Sequence, residues 1–287
     1  MKESSFEVLK NDISISFRFA ARNVISFILG MFGVLIVSVV LMAMIAVAIF
    51  VPIVFGLIEG IGMEGMIQFF TSFAAIWSTP QVSLMIGVFM LLAVFVLGPF
   101  MVAFGALFGM AREIVESEGT TAEGVFAWYR KKFFSLAGGG ILLFLVVMWP
   151  IVLLILWMPG FVTGSLIGLD FAIPMVAILL WVVISAGMLS LLFPGIIDGL
   201  SALAAARRSL RLSRQYFDRV FGTWLSFIGI ILLTSVVPLI GFLIVLFLVI
   251  PAMAIGLTRV YLILTDNVQE TESATTENPD FRLVGGA

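Results

Sequence analysis

Long apolar runs separated by short charged segments are the dominant pattern of this chain. The runs lie at about residues 24–54, 82–111, 134–157, 171–197 and 220–264. The first four contain no charged residue, and the last contains only Arg259. Each run reaches the roughly 20 residues that a helix needs to cross a bilayer, and none shows the short alternating segments of a membrane β-barrel. The pattern therefore predicts transmembrane helices.

The last run is too long for a single span. As one helix, residues 220–264 would measure about 68 Å, whereas the hydrocarbon core of a bilayer measures about 30 Å. Pro238 and Gly241 are typical helix breakers, and they divide the run into spans at about 220–237 and 242–264. The predicted fold is an all-α, polytopic bundle of six transmembrane helices with amphipathic interfacial helices.

Amphipathic segments lie between the spans. In residues 1–23, apolar side chains recur at helical spacing, at Phe6, Leu9, Ile13, Phe17 and Ala20. We predict a helix on the cytoplasmic membrane surface, because the alternative, a short strand at 12–17, would leave its edges unpaired. A second segment, 198–221, is predicted to place Leu210 on the face opposite the one with Arg207, Arg211, Arg214 and Asp218. Residues 57–80 are predicted to form an external interfacial helix.

The domain organisation follows from these segments. It consists of a cytoplasmic amphipathic helix at 1–23, a six-span domain at 24–264 and a tail at 265–287. The tail has five acidic residues and one basic residue, Arg282. Because such a composition buries little apolar surface, we predict a disordered cytoplasmic tail.

The basic residues indicate on which side of the membrane each connection lies. All fifteen Lys and Arg residues fall near the N-terminus, at 112–132, at 207–219, and at Arg259 and Arg282. The other connections contain Glu59, Glu64 and Asp170 as their only charged residues. Since basic loops remain in the cytoplasm, six spans place both termini there. We predict a multi-pass protein of the cell membrane.

The composition limits the chemistry that this chain can perform. It is 62% hydrophobic and 11% charged, with a mean hydropathy of +1.24, and its net charge of −2 gives no reason to expect a nucleic-acid partner. It contains no Cys and no His, which removes thiol nucleophiles, histidine bases and Cys/His zinc sites. Asp198-Gly199 is similar to the start of the Asp-Gly-x-x-Ala-Arg motif of lipid-headgroup transferases, but Leu203 replaces the arginine. We therefore predict no enzyme activity, no catalytic residue, no metal and no cofactor.

Candidate binding residues lie in two basic clusters at the predicted cytoplasmic surface. They are Arg207, Arg208, Arg211 and Arg214, together with Lys131 and Lys132. Arginine forks suit phosphate headgroups, but the same charges also serve as topology signals, and both interpretations remain open. Asp198, at the inner end of the fourth span, is a candidate buried polar site, unless it faces headgroup water or pairs with a nearby arginine.

Prolines recur at similar positions in the predicted hairpins. Pro52, Pro150 and Pro238 end the odd spans, and Pro99, Pro194 and Pro251 break the even ones. The spacing favours a threefold tandem repeat of helical hairpins, although membrane helices are generally rich in Pro and Gly.

One stretch resembles a known family. Phe193 to Asp198, the arginine-rich segment Ala204 to Arg214 and Gly222 together resemble poorly characterised six-span proteins related to the membrane domain of glycerophosphodiester phosphodiesterases. The likeness in architecture covers residues 1–264. It implies an integral membrane domain that anchors other activities or acts alone, and no catalytic residue transfers to this chain.

Two functions fit these observations. We predict a membrane protein that binds anionic lipid headgroups or a membrane protein partner through its basic helices. The alternative is a permease for a small hydrophobic or amphipathic solute that moves along the proline-broken spans. An open path beside Pro99, Pro194 and Pro251 would favour the permease, and a packed apolar core would favour binding.

The predicted topology can be tested by cysteine labelling, because the chain contains no Cys. Cysteines introduced at Ser72 and Ser165 should react with an impermeant thiol reagent in intact cells. Cysteines at Ser117 and Ser213 should react only after permeabilisation. Labelling at either of the last two positions in intact cells would overturn the topology.

Overall fold

The described part of the chain folds into helices. The computed structural model describes residues 5–76, 80–117, 120–157 and 169–277, and this part of the chain contains no strand. Its elements are α1 (Ser5–Arg22), α2 (Val24–Ile76), α3 (Pro80–Ser117), α4 (Ala122–Trp157), α5 (Leu169–Met188), α6 (Leu192–Ile197), α7 (Ala202–Gln215), α8 (Phe217–Ser235), α9 (Ile240–Ile244), a π-helical turn (Val245–Val249) and α10 (Ile250–Glu277).

Six segments of the described chain are helical, long and apolar enough to cross a membrane. They are Val24–Gly60, Leu92–Ser117, Ala122–Leu153, Ala172–Ile197, Phe217–Ser235 and Ile240–Asp266. The predicted all-α, six-span class is confirmed. The threefold repeat stays a prediction.

The first span continues further than predicted. The separate helix predicted at 57–80 begins only after Gly62, and its external interfacial position stays a prediction. α2 passes through Pro52, and its helical dihedrals are interrupted at Gly62, with φ 71° and ψ 167°, where two helices join. Glycine tolerates this left-handed φ because it has no Cβ. Trp77, predicted to lie near the headgroups, falls outside the described residues.

The fourth and sixth spans are interrupted near their prolines. The span predicted at 171–197 with a break at Pro194 is found as Ala172–Ile197, and its interruption lies just before this proline, since α5 ends at Met188 and α6 begins at Leu192. Pro194 lies in the first turn of α6, where a missing N–H costs nothing. In the last span, the π-helical turn directly precedes the turn with Pro251, and such turns accommodate local changes in the hydrogen-bond pattern.

The predicted disordered tail is helical over its first part. α10 continues to Glu277, so the prediction is wrong for residues 265–277. No Gly or Pro occurs between Gly256 and Pro279, and therefore nothing in this stretch breaks the helix. Residues 278–287 lie outside the described residues.

The chain forms two compact units. The first comprises Met1–Gly30, Leu107–Val125 and Gly187–Ala287, and the second comprises Met31–Ala106 and Phe126–Ala186. The second unit exposes large apolar side chains, among them Ile36, Met44 and Leu179, as expected of helices surrounded by lipid. Inside this unit, the hydroxyl of Ser38 donates a 3.1 Å hydrogen bond to the carbonyl of Pro99.

Candidate functional site

The arginine-rich helix α7 is fixed in the first unit by two serines. The hydroxyls of Ser209 and Ser213 both donate to the carbonyl oxygen of Met188, at 2.8 and 3.0 Å. Met188 is the last residue of α5, and carbonyls in a final helical turn have no partner within their helix. These bonds set the rotation of α7. They also bury Ser213, so Ser117 is the better test of cytoplasmic labelling because it is exposed.

Three of the predicted arginines share the outer face of α7. Arg207, Arg211 and Arg214 are exposed, and with Leu210 and Gln215 they line an open depression of about 550 Å³. Leu210 was predicted to face away from the arginines. This prediction is wrong, because residues three and four apart lie side by side on a helix, and Leu210 is three residues after Arg207 and four before Arg214.

The predicted arginine face is shorter than expected. Asp218 was assigned to it, but α7 ends at Gln215 and Tyr216 interrupts the helix with φ −123° and ψ 48°. Asp218 belongs to the first turn of α8. The lining of the depression therefore contains three bases and no acid.

Arg208 differs from its three neighbours. Its guanidinium carbon lies 5.5 Å from the centre of the Tyr261 ring, in the range of a cation–π contact. Its side chain is half-buried. The four arginines of the predicted site therefore divide into three on the outer face and one that contacts α10.

The two predicted lysines lie on α4, in the second unit. Nζ of Lys131 lies 5.3 Å from the centre of the Trp128 ring. Lys132 has φ −116° and ψ 15°, which bends α4 between its basic first part and its transmembrane part. This bend agrees with the predicted start of the third span near residue 134.

Asp198 pairs with an arginine, which is one of the two alternatives considered for it. Its Oδ1 accepts a 2.9 Å hydrogen bond from Nη1 of Arg112, and its Oδ2 accepts a 3.0 Å bond from the hydroxyl of Tyr261. Arg112 also donates to Glu116 at 2.8 Å. Both carboxylate oxygens have partners, although the side chain is 26% exposed. The contacts assign Asp198 a role in joining α3, α6 and α10.

The Asp198-Gly199 pair is explained by the end of α6. The N–H of Gly199 bonds to the carbonyl of Ile196, and that of Leu200 to Gly195. This is the Schellman pattern, which requires a left-handed residue just after the helix. Gly199 supplies it with φ 105°.

The prolines of the predicted permeation path differ in their surroundings. Pro194 and Pro251 are buried, and the apolar side chains near them, such as Phe193, Ile196 and Ile255, are at most 2% exposed. Pro99 lies in the second unit, where its carbonyl accepts the bond from Ser38. The packing around Pro194 and Pro251 is that of a filled core.

A buried aspartate on α1 is the feature that the sequence analysis missed. Asp12 is 2% exposed, and its Oδ2 accepts bonds of 3.0 and 2.9 Å from Nε and Nη2 of Arg219. Nε of Arg259 lies 3.9 Å from its Oδ1. The sequence did contain one indication of this site. Asp12, Ser16 and Ala20 are spaced four residues apart, which places them on one face of a helix, and all three are buried.

Helix α1 therefore packs inside the first unit. It contacts α8 and α10, and the rings of Phe17 and Phe227 lie 5.9 Å apart. The predicted amphipathic helix is present, but its most buried residues are Asp12, Ser16 and Ala20, of which only Ala20 belongs to the predicted apolar stripe. Its position on the cytoplasmic membrane surface stays a prediction. Phe6, the first residue of that stripe, is 72% exposed.

Comparisons with family models, with curated proteins and with solved structures return no match for this chain. The resemblance to the six-span family thus stays a prediction. So do the absences of enzyme activity, metal and cofactor.

Removal of the Asp12 charge should destabilise the protein strongly. We expect Asp12→Asn to lower the free energy of unfolding by about 3 kcal/mol, because it leaves two arginines without their shared carboxylate. Asp218→Asn, at an exposed acid on α8, should change it by less than about 0.5 kcal/mol. Chemical unfolding in detergent would measure both. Equal effects of the two substitutions would contradict the structural role of Asp12.

Proposed function

We propose that this chain is a multi-pass membrane protein that binds anionic phospholipid headgroups through Arg207, Arg211 and Arg214. The observation that supports the proposal is the outer face of α7, on which these arginines line one depression whose lining includes no acidic residue. The three side chains are exposed, whereas Arg208 is engaged with Tyr261. A topology signal alone requires only charge, not a shared face.

The chemistry of the face fits a phosphate-bearing lipid. Guanidinium groups donate in a planar fork that matches phosphate oxygens, and each base near an anionic leaflet contributes about 1 kcal/mol of attraction. Leu210, which lies among the arginines, provides an apolar contact for the glycerol or acyl region. The two serine bonds to Met188 hold the face in place before the ligand arrives, which lowers the entropic cost of binding.

The distribution of basic residues also supports an orientation. We propose that α7 lies at the cytoplasmic leaflet of the cell membrane, with both termini in the cytoplasm. A membrane protein partner with an acidic surface would use the same arginines. The filled core around Pro194 and Pro251 favours binding over a permease that would use these two helices.

Native mass spectrometry of the protein extracted with its own lipids tests the proposal. The variant Arg207→Gln, Arg211→Gln, Arg214→Gln should lose an anionic lipid that the wild type retains. A retained partner protein would appear instead as a much larger mass difference. We expect the loss because three charge-assisted contacts to phosphate disappear together.

The matched control removes three exposed bases from other helices. Lys10→Gln, Arg18→Gln, Arg130→Gln changes the net charge equally, and all three residues are exposed. It should retain the lipid. Identical lipid retention by the wild type and both variants would reject the α7 face as a binding site and would favour the alternative function, a permease.

A further inference from the structure

The charges around the buried Asp12 do not balance. One carboxylate faces two guanidinium groups, those of Arg219 and Arg259. The three side chains come from α1, α8 and α10, and together they have one excess positive charge. Both arginine side chains are only about a quarter exposed, so the excess charge is partly desolvated and costly, and a second anion would compensate it.

Arg219 and Arg259 are bound unequally. Arg219 donates two hydrogen bonds to Oδ2 of Asp12. Arg259 reaches only 3.9 Å from Oδ1, which is beyond hydrogen-bond length. In the described part of the chain, Nη1 of Arg259 is buried without a hydrogen-bond partner, as is the hydroxyl of the adjacent Thr258. The unused donor capacity of the cluster therefore belongs to Arg259.

Part of Arg259 is accessible from outside the unit. Its side chain is 24% exposed, so a ligand can approach the exposed part of the side chain, although Nη1 itself and Asp12 are buried. Arg259 precedes the end of the last candidate span, at Asp266, by seven residues, or about 10 Å along the helix. Long arginine side chains extend from such positions toward the headgroup layer. Phosphate groups are the anions found at that depth.

We propose that Arg259 forms a second anion-binding site, in which a phosphate group supplies the negative charge that Asp12 alone does not provide. The site is separate from the outer face of α7 and does not depend on it. Its ligand is a phosphate, either in the headgroup of an anionic phospholipid or free in solution. Asp12 and Arg219 are positioning residues, since their paired charges hold α1 and α8 beside Arg259.

The experiment uses the full-length chain with Arg207, Arg211 and Arg214 changed to Gln, so that the α7 face no longer contributes to lipid binding. The purified, delipidated protein is titrated with phosphatidylglycerol or phosphatidylcholine in detergent, and bound lipid is counted by native mass spectrometry. Phosphatidylglycerol should bind, and adding Arg259→Gln should weaken its binding roughly tenfold, the effect of losing one charge-assisted hydrogen bond. Arg18→Gln, at an exposed arginine on α1, should leave binding unchanged.

Thermal unfolding distinguishes the outcomes. A bound anion stabilises the folded state by mass action, so phosphatidylglycerol should raise the unfolding temperature of the parent and not of the Arg259→Gln variant. Inorganic phosphate, tested in lipid-free micelles, should give the same Arg259-dependent rise if the free ion is the ligand. If neither phosphate source stabilises the parent, and Arg259→Gln raises its unfolding temperature by removing an unbalanced charge, the proposal is wrong.

A conservative variant covers the case in which Arg259→Gln does not fold. Arg259→Lys keeps the charge but loses the fork geometry. The proposal predicts several-fold weaker phosphatidylglycerol binding for this variant. Unchanged binding would overturn it.

Discussion

The pairing of charges in apolar surroundings is the constraint on which the first compact unit depends. Most of its residues are apolar, so each carboxylate that enters it needs a partner. Asp12 forms ion pairs with Arg219 and Arg259, and these contacts join α1 to α8 and α10. Asp198 accepts hydrogen bonds from Arg112 and Tyr261, and these contacts join α6 to α3 and α10. Both aspartates are thus linked to α10, the last helix of the chain.

The same pairings determine which bases remain available to a ligand. Arg219, Arg112 and Arg208 have partners within the protein, whereas Arg207, Arg211 and Arg214 face outward. The helix that presents them is held by two serine hydroxyls and begins directly after the Asp198-Gly199 turn. The proposed lipid contact is therefore built on a rigid support.

Much of the architecture could be predicted from the sequence, because lipid requires long apolar helices. The number of spans and their approximate positions follow from run length and charge. The interruptions of the fourth and sixth spans lie next to Pro194 and Pro251, but their form depends on how each proline is accommodated, which a sequence pattern does not specify.

The candidate sites were less predictable, because their partners are distant in the chain. Asp12 and Arg219 are 207 residues apart, and nothing in the local pattern around either residue indicates the other. The same applies to Arg112 and Asp198, separated by 86 residues. The position of Leu210, in contrast, follows from helical spacing and was available from the sequence. Tertiary packing, not propensity, placed α1 inside the unit.

Headgroup binding by the arginines of α7 can be tested directly by measuring the depth of this face relative to the lipid headgroups. Because the chain lacks Cys, a single fluorophore can be attached to an Arg211→Cys variant reconstituted in nanodiscs that contain phosphatidylglycerol. If the arginines bind headgroups, a quencher attached to lipid headgroups should quench the fluorophore strongly. Quenching by a water-soluble quencher alone would place the arginine face in bulk solvent and rule out headgroup binding by this face.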